Sequence, residues 1–425
     1  MSFMIPTINM LAAEAATPAE AGGLVAWLKA FLERHPEVVT LITIGAALGA
    51  VLGAVSYLIY VERKLAAFMQ DRVGPNRVGP WGLLQPIADG MKFILKEDVI
   101  PEHVDKKLFV LAPCLAALTT MLAFAVVPFG PVDSAPSFMR FIIAPNIDIG
   151  IVFIFAIGSL AVYGIILGGW ASNNKYSALG ALRASAHVIS YEIPLGMSVL
   201  GIALMGGTLN IEQILLNQAD GGITQWYFWT QPLACLIFFT AALAESNRLP
   251  FDLVECEQEL VGGFHTEYSS MKFALFFLAE YTHVITISFL TAILFFGGWH
   301  FPGIAEPGST GLTATLLKFG VLHGKVFAVI IVIMLIRWTI PRFRFDQLMG
   351  LAWKVLIPLS TANVVAVMTV LQFGWSKWWL TAISILLFVI AGAIGVKQAQ
   401  DTLNSTPRRP KMNSEASGTK VAHAH

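Results

Sequence analysis

Long apolar runs separated by short polar segments dominate the pattern of this chain. Nine windows are apolar and continuous enough to form helices of membrane-crossing length: 38–61, 107–128, 148–170, 184–206, 229–247, 271–299, 325–341, 352–372 and 377–396. A bilayer core of about 30 Å takes about 20 apolar residues in helical form. Uninterrupted runs, as opposed to the weak two-residue alternation of a barrel, require helices. The pattern therefore predicts an all-α polytopic membrane protein with about nine transmembrane helices, eight being the alternative count. A single helical domain is expected over residues 38–397. The Ala-rich lead at 1–37 reads as poorly ordered or interfacial, and the polar, Pro- and Ser-containing tail at 398–425 as a disordered end.

One polar segment has a helical period of its own. After the turn-forming glycines and prolines of RVGPNRVGP, Leu83, Leu84, Ile87, Met91, Ile94 and Leu95 recur at three- and four-residue steps, with Asp89, Lys92 and Lys96 on the other side. This predicts an amphipathic helix lying in the membrane interface. Gly90 interrupts it, at a cost of about 1 kcal/mol relative to Ala. Two readings stand: a helix that only seals the fold, and one whose missing side chain admits a ligand or another backbone.

Composition agrees with the pattern, at 56% hydrophobic and 13% charged; soluble domains carry about a quarter charged residues. A formal net charge of zero supplies no overall attraction for nucleic acid. The placement of charge says more. With nine spans, residues 62–107, 171–183, 248–270, 342–351 and the tail share one side of the membrane. Counting bases in and bordering these segments leaves only Lys29, Arg34, Arg140, Lys318, Lys325 and Lys377 of the 27 Lys and Arg on the other side. Such an excess marks the cytoplasm, so the N-terminus is expected in the periplasm and the C-terminus in the cytoplasm. Loops 129–147, 207–228 and 300–324 read as short connectors.

Cys114, Cys235 and Cys256 are far apart. An iron–sulfur cluster takes four cysteines at close spacing, so this chain is expected to hold none, and no metal site is predicted. His187 and His283 fall inside spans; haem ligation requires them to face each other, and polar residues with local partners is the favoured reading.

Acids carry the remaining signal. Glu192, Glu245 and Glu280 lie on three spans at comparable depth, with Arg183 and His187 sharing a face near Glu192. Intramembrane ionisable residues are costly and are functional candidates by default; here they either pass protons or form separate ion pairs. RLPFDLVECEQELVGGFHTEY, residues 248–268, adds Asp252, Glu255, Glu257, Glu259 and Glu267. Pro250 and the Gly262, Gly263 pair predict irregular backbone there. The intervening Phe251, Leu253, Val254, Leu260 and Phe264 favour a packed loop over a solvated one. Crowded carboxylates titrate as a coupled set. A third cluster, RWTIPRFRFDQLMGLAWK at 337–354, combines a basic rim with Phe343, Phe345, Asp346 and Gln347, as expected of a docking surface for a neighbour.

The stretches RVGPNRVGPWGLLQPIADGMKFILKED, GWASNNKYSALGALRASAHVISYEIP, AESNRLPFDLVECEQELVGGFHTEYSSMKFALFFLAEY and PRFRFDQLM resemble, in order, the signatures of the H-type membrane subunit of the proton-pumping NADH:quinone oxidoreductase, respiratory complex I. The similarity covers roughly residues 38–372. The resemblance implies a multi-pass subunit of the bacterial inner membrane that forms the quinone chamber with the peripheral arm and couples quinone reduction to proton translocation. It places Arg63, Arg72, Asp89, Gly90, Lys92, Arg248, Phe251 and Asp252 at the quinone entrance and chamber. Glu192, Glu245, Glu255, Glu257, Glu259, Glu267 and Glu280 fall on the acidic loop and proton path, and Arg342, Arg344 and Asp346 at a subunit contact. It also implies quinone as substrate, no cofactor on this chain, and FMN and iron–sulfur clusters in partner subunits. The implied partners are the peripheral-arm iron–sulfur and quinone-site subunits, the small and antiporter-like membrane subunits, and lipid. The corresponding subunit of a membrane-bound hydrogenase and a stand-alone ion transporter are the competing readings. A transporter, however, often shows inverted repeats, and none is evident.

Overall fold

Each of the nine windows holds a helix in the computed structural model, which describes residues 34–131, 141–219, 221–252, 260–309 and 311–405. In chain order the helices are α1 Pro36–Met69, α2 Gln85–Leu95, α3 Lys106–Leu122, α4 Gly150–Ala171, α5 Lys175–Gly206, α6 Ile211–Ala219, α7 Pro232–Glu245, α8 Ser270–Phe295, α9 Leu312–Thr339, α10 Phe345–Gln372 and α11 Trp378–Ser405. Among the described residues eight are long and apolar enough to cross a membrane. The other apolar one, α7, has 14 residues and rises about 21 Å, short of the bilayer core. Pro232 starts it after a one-turn helix, Tyr227–Thr230. Most of the lead lies outside the described residues, and so does the tail beyond 405.

Several helices run past their apolar windows. α5 begins at Lys175 and takes in most of the predicted 171–183 loop, its N-terminus capped by the Asn174 side chain, which accepts from the Tyr176 N–H. α9 begins at Leu312, inside the predicted connector 300–324. The reason is Lys318, which is buried yet satisfied: its ammonium donates to the carbonyls of Ser309 (2.9 Å) and Pro307 (3.5 Å) and sits 4.5 Å from the Trp299 ring centroid.

α5 is the central helix, packed on α4, α7 and α10. Tyr191, Leu195, Val199 and Ile202 of α5 join Ile237 and Phe238 of α7 in the main core. Pro194 removes one helix hydrogen bond within α5. In the same turn the Ser190 hydroxyl donates to Ala186 O (2.7 Å) and accepts from the Trp353 indole N–H (3.2 Å). α10 widens into a π-helical turn at Ala352–Leu356, around that tryptophan, and the Tyr191 hydroxyl donates to Leu348 O at 3.0 Å. α3 and α4 approach through small residues: a Cβ on Gly164 would lie 2.8 Å from the Ala116 Cβ and 3.1 Å from Ala112 O. This is how helices associate where lipid removes any hydrophobic drive between them. α1 and α11 leave most of their apolar surface uncovered.

The interfacial helix forms as predicted. Arg63 holds α2 to α1 through Asp89 (2.7 Å), and the Ser270 hydroxyl at the start of α8 reaches the carbonyls of Phe93 and Lys96, both at 2.9 Å. The residues of its apolar stripe stay exposed, and a Cβ on Gly90 would meet nothing within 4 Å. Among the described residues, then, no other backbone fills the gap at Gly90.

Candidate functional site

Four chain segments converge at one end of the bundle. The end of α1 supplies Glu62 and Arg63, and the segment after α7 supplies Asn247, Arg248, Leu249 and Asp252. α8 contributes Phe277, Glu280 and Tyr281, and the end of α9 contributes Arg337 and Trp338. Together with Ile59 and Ala66 they enclose a cavity of about 340 Å³. The chain turns into it through Asn247, whose φ of 49° is one that asparagine adopts more readily than most residues.

Glu62 is the hub. It is buried, at 8% exposure, and its Oε2 accepts from the Tyr281 hydroxyl (2.7 Å) and lies 3.6 Å from Arg248 Nη1. Its Oε1 pairs with Arg337. The Arg248 guanidinium stacks over the Tyr281 ring, 4.0 Å from its centroid. Burial disfavours the charge on Arg248, but the oxygens of Tyr281, Glu62 and Glu280 outweigh it and push its pKa above the ordinary arginine value. Two polar atoms on this wall, Arg248 Nη2 and Asn247 Oδ1, are buried with no hydrogen-bond partner among the described residues. Buried polar groups are rarely left so.

A second cavity, of about 60 Å³, shares Asn247 and Glu280 with the first and adds Glu245, Ser246 and His283. A third, of about 20 Å³, shares Glu245 and His283 with the second and extends to Thr119, Thr286 and Leu195. His283 Nε2 lies 3.3 Å from Glu245 Oε1. Glu192 on α5 is half-buried and close enough to Glu245 for their charges to interact. Three cavities thus follow one another from the charged end into the bundle, with a carboxylate at each joint: Glu280 at the first, Glu245 at the second.

The expected site residues divide accordingly. Arg63, Arg248, Asp252 and Glu280 line the large cavity; Glu280 also lines the second, and Glu245 the second and third. Asp89 reaches that wall through Arg63 and also accepts from Gln85 (3.1 Å). Phe251 is buried beside Tyr191 and Phe343, at 5.8 Å from each ring, and packs without lining the cavity. Arg72 is exposed and donates to Gln70, and Lys92 is exposed beside Phe93. Glu267 stands apart: it accepts from the Asn174 side chain (2.7 Å) and clasps the α4–α5 turn. Arg342 turns inward to Asp252 (3.4 Å), whereas Arg344 and Asp346 remain exposed. Arg183 stacks on Phe345, and His187 is buried against Tyr191. Glu255, Glu257 and Glu259 lie outside the described residues, as does Cys256.

Sequence reasoning did not single out Glu62, Tyr281 or Asn247, and took Arg337 only as part of a basic rim. Glu62 follows an apolar window and precedes Arg63 and Lys64, so it reads as an ordinary helix end. Its signal was position: a lone acid closing an otherwise uncharged span.

The fold and site define a polytopic helical membrane protein with a string of partly buried carboxylates opening into a charged cavity at one end. The family described as NADH dehydrogenase matches residues 42–368. A second H-type subunit of NADH-quinone oxidoreductase from Koribacter versatilis is 46% identical over 341 residues, 77% of this chain and 95% of the relative. The H-type subunit from Flavobacterium psychrophilum is 48% identical over 312 residues, covering 72% and 90%. NADH-quinone oxidoreductase subunit 8 of Rhodothermus marinus is 46% identical over 327 residues, covering 75% and 93%. The chain belongs to the family of H-type subunits of NADH-quinone oxidoreductase.

Proposed function

We propose that this chain is the inner-membrane subunit in which NADH-quinone oxidoreductase meets quinone and passes the consequence of its reduction to proton translocation. The observation that carries the reading is the shared lining of the three cavities, with Glu280 and then Glu245 where one gives way to the next. FMN and iron–sulfur clusters in partner subunits supply the electrons. Reduction of quinone to quinol takes up two electrons and two protons, so negative charge appears, and protons are drawn, beside the large cavity. Arg248 keeps its charge at all physiological pH and holds the site attractive to a reduced oxygen. Its buried Nη2 donor and the Asn247 Oδ1 acceptor suit a quinone oxygen and a bound water. Glu280 answers the charge next, and Glu245, with His283 at its side and Glu192 nearby, takes it into the bundle. Glu255, Glu257 and Glu259 extend the acidic loop beyond Asp252. Partner subunits dock at Arg344 and Asp346, on the cytoplasmic side with the other basic loops.

The test is Glu280→Gln, and separately Glu192→Gln, in the assembled complex in native membrane vesicles. Loss of a positioned proton carrier costs about a hundredfold or more when transfer limits the rate. Quinone-linked proton pumping should fall accordingly, with complex content and NADH oxidation by a hydrophilic artificial acceptor unchanged. Wild-type pumping in both variants would sink the proton-path reading.

A further inference from the structure

A separate cavity of about 180 Å³ lies at the opposite end of the bundle. It is lined by Met205, Asn217, Gln225, Tyr227, Thr230 and Lys377. α5 fixes its position: the helix starts beside Glu267, at the end that carries the charged site, and Met205 is reached at its far end, about 45 Å along. α10 agrees, since it starts next to the Arg342–Asp252 pair and delivers Lys377 only after its last residue, Gln372.

The chemistry of the lining is one-sided. Among the described residues Lys377 is its one charged group, Asn217, Gln225, Tyr227 and Thr230 are neutral hydrogen-bonding groups, and no acid lines it. Among the described residues Lys377 has no carboxylate within ion-pair distance. Around the mouth, Trp229, Phe373, Trp375, Trp378 and Trp379 are all exposed, the belt that tryptophan forms at headgroup level. The Thr381 hydroxyl donates to Trp229 O at 2.8 Å and pins α11 to the turn that walls the cavity. The α11 surface leading away from the mouth is exposed and apolar, with Ile385, Leu386, Phe388 and Val389 uncovered.

We propose that this cavity binds the headgroup of an anionic phospholipid of the phosphatidylglycerol type. The phosphate lies on Lys377, the glycerol hydroxyls meet the neutral side chains, and the acyl chains run along α11. A zwitterionic headgroup fits less well, because its cation would share the cavity with Lys377 and meet no acid among the described residues. One lysine beside an anionic lipid is worth about fivefold in affinity, so Lys377→Gln should weaken retention about fivefold and Lys377→Glu about thirtyfold, while Lys377→Arg retains it.

Native mass spectrometry of the intact purified complex tests this. Complex from the Lys377→Glu strain should lose one tightly held phosphatidylglycerol that the wild type and Lys377→Arg keep. Equal lipid content in the wild type and Lys377→Glu would overturn the proposal. For an independent reading, wild-type complex is illuminated with phosphatidylglycerol carrying a photoreactive headgroup. Labelling should fall on residues 225–230 and 373–381, compete with unlabelled phosphatidylglycerol, and persist in millimolar inorganic phosphate. Labelling elsewhere only, equal competition by phosphatidylcholine, displacement by phosphate alone, or a partner subunit cross-linked to Lys377 in place of lipid would each overturn it.

Discussion

Neutralising the hub of the charged cavity, by Glu62→Gln, should loosen the assembled protein measurably. Glu62 serves Arg248, Arg337 and the Tyr281 hydroxyl at once. Breaking a buried pair by removing one charge costs about 3–5 kcal/mol, because the other charge stays behind. Gln keeps an acceptor for Tyr281, and the Arg337 side chain is 34% exposed and can turn to water. The cost therefore belongs at the low end, about 3 kcal/mol, a shift of about a hundredfold in the equilibrium. Purified complex is heated in steps and the chain remaining in intact complex is quantified on native gels. Glu62→Gln should fail at the lowest temperature and Arg337→Gln at an intermediate one. The double variant should do no worse than Glu62→Gln, because removing Arg337 relieves its repulsion with Arg248; the coupling should be about 1–2 kcal/mol. A Glu62→Gln complex as heat-resistant as the wild type would refute the hub, and a double variant that loses the sum of the single effects would refute the shared pairing.

Ser270→Ala removes the hydroxyl that serves the last carbonyls of α2, a helix with no buried residue of its own. A net hydrogen bond is worth about 1 kcal/mol, so limited proteolysis within residues 80–100 should quicken about fivefold, and an unchanged cleavage rate would show that α2 is held by something else. Tyr268 stacks on Phe109 at 4.1 Å, and burial raises its pKa above the tyrosine norm. The folded state thus keeps this proton beyond pH of about 10, where the unfolded chain loses it; its contribution is complete below that pH and is lost as pH rises toward the folded value. Tyr268→Phe cannot ionise, so the heat resistance of the wild type relative to this variant should decline above pH of about 10, and a ratio constant from pH of about 8 to 11 would contradict the sign.

The spans were legible because lipid imposes a pattern that needs no partner to be read: every helix must be apolar over a fixed length. Their ends were not, because a lysine inside a helix counts against the span unless its partners are known. Lys325 is the clearest case. Its ammonium donates to the carbonyls of Phe296 (2.7 Å), Gly298 (2.9 Å) and His300 (2.7 Å), so α9 continues through a residue that the pattern treats as a boundary. Window 229–247 shows the opposite case. Its middle is apolar, yet the chain bends at Gln231 near its start, whose side-chain amide donates to Gly201 O of α5 at 3.3 Å, and the helix that follows is a short one.

The acids of the site were visible singly, since a carboxylate in an apolar run is conspicuous, but their pairing was not. Arg337 and Glu62 are 275 positions apart, and nothing local to either says that they meet. Two acids of the same loop therefore have different fates: Asp252 lines the charged cavity, while Glu267 clasps a turn elsewhere. The basic rim divides for the same reason. Arg342 meets Asp252, 90 positions away in sequence, whereas Arg344 and Asp346 are exposed at the start of α10; three charges adjacent in the chain are separated by a contact that only the packed fold creates.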